Sequence, residues 1–145
     1  MDIKDIGVSL AMRVEAKLLT SDRESWLKCL KSIPYNKYVP LQYKPSFIEY
    51  QTEYFSDVYD RYADISMVLY RGGKPVGIWP LCIYQKGEEC FLGSLGGDIV
   101  EPYFTNLPKA KAQRAVIQKI LDTLCDICGE SEIRINSMIK TQITV

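Results

Sequence analysis

The sequence predicts one α/β (α+β) domain spanning residues 1–145, with a mainly antiparallel sheet flanked by helices. Three observations carry this. The run from Asp64 to Phe104 is dense in residues that favour strands and is broken by short glycine turns at Gly72-Gly73 and Gly87. Stretches on either side of it repeat apolar residues at helical spacing. A last long helix, from Asn106 or Leu107 to Gly129, is followed by Glu132-Ile133-Arg134-Ile135-Asn136, which alternates as a strand.

A chain of 145 residues buries roughly two-thirds of its unfolded surface, enough for one core without staples. Eighteen basic residues balance eighteen acidic ones, so bulk charge gives no reason to expect nucleic acid or an anionic membrane as partner. Met1-Asp2-Ile3-Lys4-Asp5 lacks the basic and apolar regions of a signal peptide, and no window reaches the ~18 apolar residues of a membrane span. A cytoplasmic protein is expected. The five cysteines and the absence of histidine fit free thiols in a reducing compartment and remove Ser-His and Cys-His nucleophile pairs. No metal site is expected, because a zinc site at Cys125-x-x-Cys128 would need further ligands, and these two cysteines read as core packing late in a helix.

The elements follow in order. Val8, Leu10, Met12, Val14, Ala16 and Leu18 alternate with polar residues, which predicts a half-buried strand over Val8–Leu18. Ser21-Asp22-Arg23-Glu24 has the capping-box spacing, with Ser21 as the cap. The helix that follows faces inward through Trp26, Leu27, Leu30 and Ile33, and Pro34 stops it. Prolines at 34, 40 and 45 bracket a loop, and Pro45 opens a second helix with an aromatic face: Phe47, Ile48, Gln51, Tyr54, Phe55, Val58, Tyr59 and Tyr62. Eight of the ten tyrosines lie between Tyr35 and Tyr70. They could line a sugar or nucleotide site, though a stripe packed on a sheet explains them more simply.

Ile65, Met67 and Leu69, then Val76, Ile78, Leu81 and Ile83, predict two central strands, with an edge, bulge or bend at Trp79-Pro80. Cys90-Phe91-Leu92 is a third strand, followed by the loop Gly93-Ser94-Leu95-Gly96-Gly97-Asp98. Phosphate loops lead directly into a helix and carry no acid at the anion position. Here an extended run and Asp98 follow the glycines, so a tight turn or a close backbone approach to substrate fits better. Asp98 and Glu101 are candidate general bases, and Ser94 and Tyr103 candidate hydrogen-bond donors. The longest helix begins at Asn106 or Leu107 around Pro108 and runs to Gly129, with Val116, Ile117, Ile120, Leu121, Leu124, Ile127 and Cys128 inward. Lys109, Lys111 and Arg114 near its start read as a solvated basic face. Glu132–Asn136 and Met138–Val145 are predicted as closing strands.

The helix start Pro45-Ser46-Phe47-Ile48-Glu49-Tyr50, the hairpin Gly72-Gly73-Lys74-Pro75-Val76-Gly77-Ile78-Trp79-Pro80-Leu81, and Leu92-Gly93-Ser94-Leu95-Gly96-Gly97 leading to Pro102 resemble the N-terminal half of FemAB-type members of the GNAT (acyl-CoA N-acyltransferase) superfamily. The likeness spans residues 45 to 136. It implies a fold equivalent to that half, and transfer of an acyl or aminoacyl group from acyl-CoA or another charged carrier to an amine on an amino-sugar or cell-envelope polysaccharide precursor. It implies Tyr50, Tyr54, Trp79, Ser94, Asp98 and Tyr103 on the acceptor side. The superfamily's donor-binding turn, a glutamine or arginine followed by spaced glycines and a helix, would lie beyond Asn136. The expectation is therefore that this chain has no cofactor of its own and is inactive unless a C-terminal half is supplied. The alternative is a non-catalytic binding or assembly module that forms a homo-oligomer or takes a partner chain through its terminal strand.

Overall fold

A computed structural model describes residues 13–33, 40–127 and 133–135. Among them it is α+β, with three α-helices and eight strands in two sheets. Strand β1 is Val14–Leu18, followed by helix α1, Arg23–Lys31, a single 3-10 turn at Leu41–Tyr43, and helix α2, Pro45–Val58. Six strands come next: β2 Arg61–Asp64, β3 Met67–Arg71, β4 Lys74–Trp79, β5 Cys82–Lys86, β6 Glu89–Gly93 and β7 Tyr103–Phe104. Helix α3, Ala110–Ile127, and strand β8, Ile133–Ile135, complete the order. No described helix is long and apolar enough to cross a membrane.

The first sheet has the order β1-β3-β4-β7 and the second β2-β5-β6-β8. All pairings are antiparallel except β6 with β8, which run parallel and are joined through α3. The predicted single sheet is thus two, and Trp79-Pro80 is the reason. Strand β4 ends at Trp79 in the first sheet, and β5 begins at Cys82 in the second. Pro80 lacks the N–H that would continue a ladder, so the chain changes sheets there. The β3–β4 pair also carries a bulge between Leu69 and Tyr70.

The first sheet is covered on both faces. Met67, Leu69 and Trp79 pack with Leu107, Val116, Ile120 and Leu121 of the α3 side. Val68, Tyr70 and Ile78 pack with Trp26, Cys29 and Ile48 on the α1 side. This explains why β3 is buried without alternation, in a chain whose antiparallel strands would otherwise show one wet face. Leu81, in the link between the sheets, and Leu92 of the second sheet join the α3 cluster, so α3 bridges the two sheets.

Several expectations are corrected. Leu18 is exposed and Leu19 is buried, because the chain leaves the edge strand there and the Leu19 N–H bonds the Ser66 carbonyl at 2.8 Å. Asp22, not Ser21, caps α1: its carboxylate accepts from the Ser25 N–H at 3.4 Å. The cap moves one residue because the other Asp22 carboxylate oxygen accepts from the Tyr70 hydroxyl. Leu27 faces solvent and Cys29 takes its inward place, completing the 26, 29, 30, 33 spacing of a single helical stripe. Tyr54 and Val58 of α2 are exposed, and Tyr59 and Tyr62 leave the helix, Tyr62 for the unanticipated strand β2. Helix α3 starts at Ala110, with Asn106 in the left-handed region at φ 58° and Leu107 turned into the core. The inward residues Val116, Ile120 and Leu121 are buried as expected. The start of the first predicted strand, Pro34, the thiols of the C-x-x-C pair, Gly129 and the strand Met138–Val145 lie outside what is described.

Candidate functional site

Antiparallel register aligns side chains from neighbouring strands on one face. In the second sheet Arg61 stands opposite Gln85, and Gln85 opposite Cys90. The next row on the same face is Ala63, Ile83 and Leu92. Along this face, with Ser56 from the last turn of α2, lies an open cleft of about 600 Å³. That volume suits a small organic ligand. Its floor is apolar at Ala63 and Ile83, and Ser56, Arg61, Tyr62, Tyr84, Gln85 and the half-buried Cys90 complete the lining.

Arg61 is the one charged residue lining the cleft, and no described residue hydrogen-bonds or ion-pairs with its side chain. The Gln85 side chain donates to the Gly87 carbonyl at 2.9 Å, and the Gly87 N–H is held by the Asp60 carboxylate at 2.6 Å, so the β5–β6 turn and the glutamine orient each other. The Ser56 hydroxyl donates to the Thr52 carbonyl at 2.6 Å and keeps its lone pairs free to accept.

The opposite face of the same strands is aromatic. Tyr59 stacks on Tyr84 at 4.4 Å, Tyr84 on Phe91 at 5.3 Å and Phe55 on Tyr59 at 5.4 Å. Lys86 stands over the Tyr59 ring at 5.1 Å. Burial pushes the Tyr62 hydroxyl well above its ordinary range, and a hydrogen bond and charge repulsion at Cys82 act in the same direction. Burial likewise raises Asp64, against two hydrogen bonds from Ser66, and raises the Cys82 thiol. Of these groups Tyr62 stacks on Phe55 of α2 at 5.7 Å, and none of them is a poised nucleophile.

The residues singled out from sequence do not come together. Tyr50 and Tyr54 lie on the outer surface of α2, 62% and 54% exposed. Trp79 is fully buried and its indole N–H donates to the Val100 carbonyl at 2.8 Å. The buried Ser94 hydroxyl donates to the Pro80 carbonyl and accepts from the Val100 N–H at 3.0 Å. Asp98 and Glu101 are exposed loop residues, and the Glu101 carbonyl accepts from the Tyr43 hydroxyl at 2.8 Å. Tyr103 donates to the Ser32 carbonyl at 3.1 Å and lines a second, separate cavity of about 550 Å³ with Asn106 and Gln113. Amides of the glycine loop are used internally: the Gly97 N–H bonds the Ser94 carbonyl at 2.9 Å, and the Gly96 N–H bonds the Cys82 sulfur at 3.5 Å.

Sequence reasoning missed Arg61, Gln85 and Cys90, because only the strand register brings them into one row. No local pattern marks them: Arg61-Tyr62-Ala63-Asp64 does not alternate polar with apolar residues, and it continues the aromatic spacing of α2. Among the described residues no three acidic, cysteine or histidine side chains gather as a metal-ligand set. Compared with protein-family models, curated proteins and solved structures, the chain matches none.

Proposed function

We propose that the chain is an acyl- or aminoacyl-transferase-like protein of the FemAB type, and that it supplies the side that receives an amino-sugar or cell-envelope polysaccharide precursor. The observation that carries the proposal is the unit β6–α3–β8. Strand β6, which ends in small residues, leads through a loop and the short strand β7 of the first sheet to the long helix and then to β8, parallel beside β6. The hairpin that carries the resemblance forms the central β3–β4 pair of the first sheet.

Acyl transfer to an amine needs a neutral amine, a polarised thioester carbonyl and a path for the departing proton. The one charged residue of the cleft is the Arg61 guanidinium, which suits an anionic part of an acceptor and not its amine. No carboxylate lines this cleft, so the proton leaves through solvent or through a group outside the described residues. No described helix opens on a glycine-spaced turn, and the acyl-CoA or aminoacyl carrier is assigned to a surface beyond those described. Calorimetry tests both halves. A glucosamine oligosaccharide should bind to this chain, and acetyl-CoA should give no heat. Micromolar acetyl-CoA affinity, or no response to any amino sugar, would contradict the reading.

A further inference from the structure

We propose that the cleft on the second sheet binds the anionic group of a small organic ligand, a carboxylate or phosphate monoester, with the ligand's body on Ala63 and Ile83. The charges of the whole chain cancel, yet the single charged residue of this cleft is the guanidinium of Arg61, and no aspartate or glutamate lines it. Among the described residues Arg61 has no ion-pair partner, whereas two other surface arginines do. Arg13 pairs with Glu15, and Arg23 with Glu49 at 2.6 Å. A planar guanidinium with five donors matches carboxylate and phosphate oxygens two at a time. Polar groups stand on the same face: the Gln85 amide directly across from Arg61, and the Cys90 thiol across from Gln85. Successive strands are about 4.8 Å apart, so the row spans about 10 Å, the length of an aryl or short aliphatic acid. The apolar row beside it gives such a body a surface to cover. The inference rests on the cleft alone, so it stands or falls independently of acyl transfer.

Cys90 supplies a built-in reporter. Cys29 and Cys82 are buried, and burial pushes the Cys29 thiol up to about 11. Cys90 is half-exposed on the cleft wall. Its alkylation by iodoacetamide, read by peptide mapping, can be followed with phenyl phosphate, benzoate, benzyl alcohol or benzylamine present. At a ligand concentration about ten times the dissociation constant, an anion that fills the cleft slows alkylation about tenfold. We expect protection by phenyl phosphate or benzoate and not by the alcohol or the amine, and the better anion identifies the preferred source. Arg61→Ala, a surface change, should weaken protection at least about tenfold, as loss of a charge-assisted hydrogen bond does. Arg61→Lys should restore part of it. Equal protection by benzylamine, anion protection that survives Arg61→Ala, or no protection by either anion would each overturn the proposal.

Discussion

The Ser94 hydroxyl holds two backbone groups that have no other described partner, the Pro80 carbonyl and the Val100 N–H. Ser94→Ala strands both in a buried setting, and urea unfolding should show a loss of about 1–3 kcal/mol. A substrate-donor role would instead leave stability untouched. Asp22 provides a second residue-scale test. Its carboxyl is held below the usual range chiefly by the Tyr70 hydroxyl, with the Ser25 hydroxyl and N–H and the Lys17 charge adding to it against the cost of burial. A depressed carboxylate stabilises the fold above its unfolded value of about 3.9, and that stabilisation is lost as pH falls through the lower folded value. Tyr70→Phe removes the main cause, so the stability gap between wild type and variant should narrow from about pH 6 to about pH 3. The raised carboxyl of Asp64 acts in the opposite direction, but it is common to both proteins and cancels. A gap that stays constant with pH would mean that Tyr70 stabilises only by packing.

At the scale of elements, the helices were the more legible part of the sequence. Trp26, Leu30 and Ile33 predicted the inward stripe of α1, and Val116, Ile120 and Leu121 that of α3, because a 3.6-residue period reads directly as a face. Their ends were less legible, since caps depend on partners from other segments. Ser21 and Asp22 are both good caps by chemistry, and the Tyr70 hydroxyl from β3 selects Asp22. Ser21→Ala should therefore change the unfolding midpoint little, while Asp22→Ala should cost about 1 kcal/mol or more. The reverse order would restore the predicted capping box. The glycine loop makes a similar point. A Cβ at Gly96 would lie 2.4 Å from the Phe55 ring, and its φ is +77°, so Gly96→Ala should lower the melting temperature by pushing α2 off the second sheet. The run Ser94-Leu95-Gly96-Gly97 suggested a close backbone approach, and the body it approaches is an aromatic side chain of this same chain.

Across the whole molecule, the strand-rich run 64–104 was readable, but its division into two sheets was not. Trp79-Pro80 marked a break, and whether a break is a bulge or a change of sheet depends on pairings far along the chain. The site was least legible for the same reason. Tyr50, Tyr54, Trp79, Ser94, Asp98, Glu101 and Tyr103 were chosen by chemistry and local pattern, and the fold spends them on the surface, in the core and in a separate cavity. Arg61, Gln85 and Cys90 have no local signature and acquire a shared face only when β2, β5 and β6 pair. If ligand enters at this row, titrating the isotope-labelled chain with phenyl phosphate and following its amide resonances gives the largest shifts at Arg61, Ala63, Gln85 and Cys90. Shifts confined to Tyr50, Tyr54 and the Asp98–Tyr103 segment would contradict it.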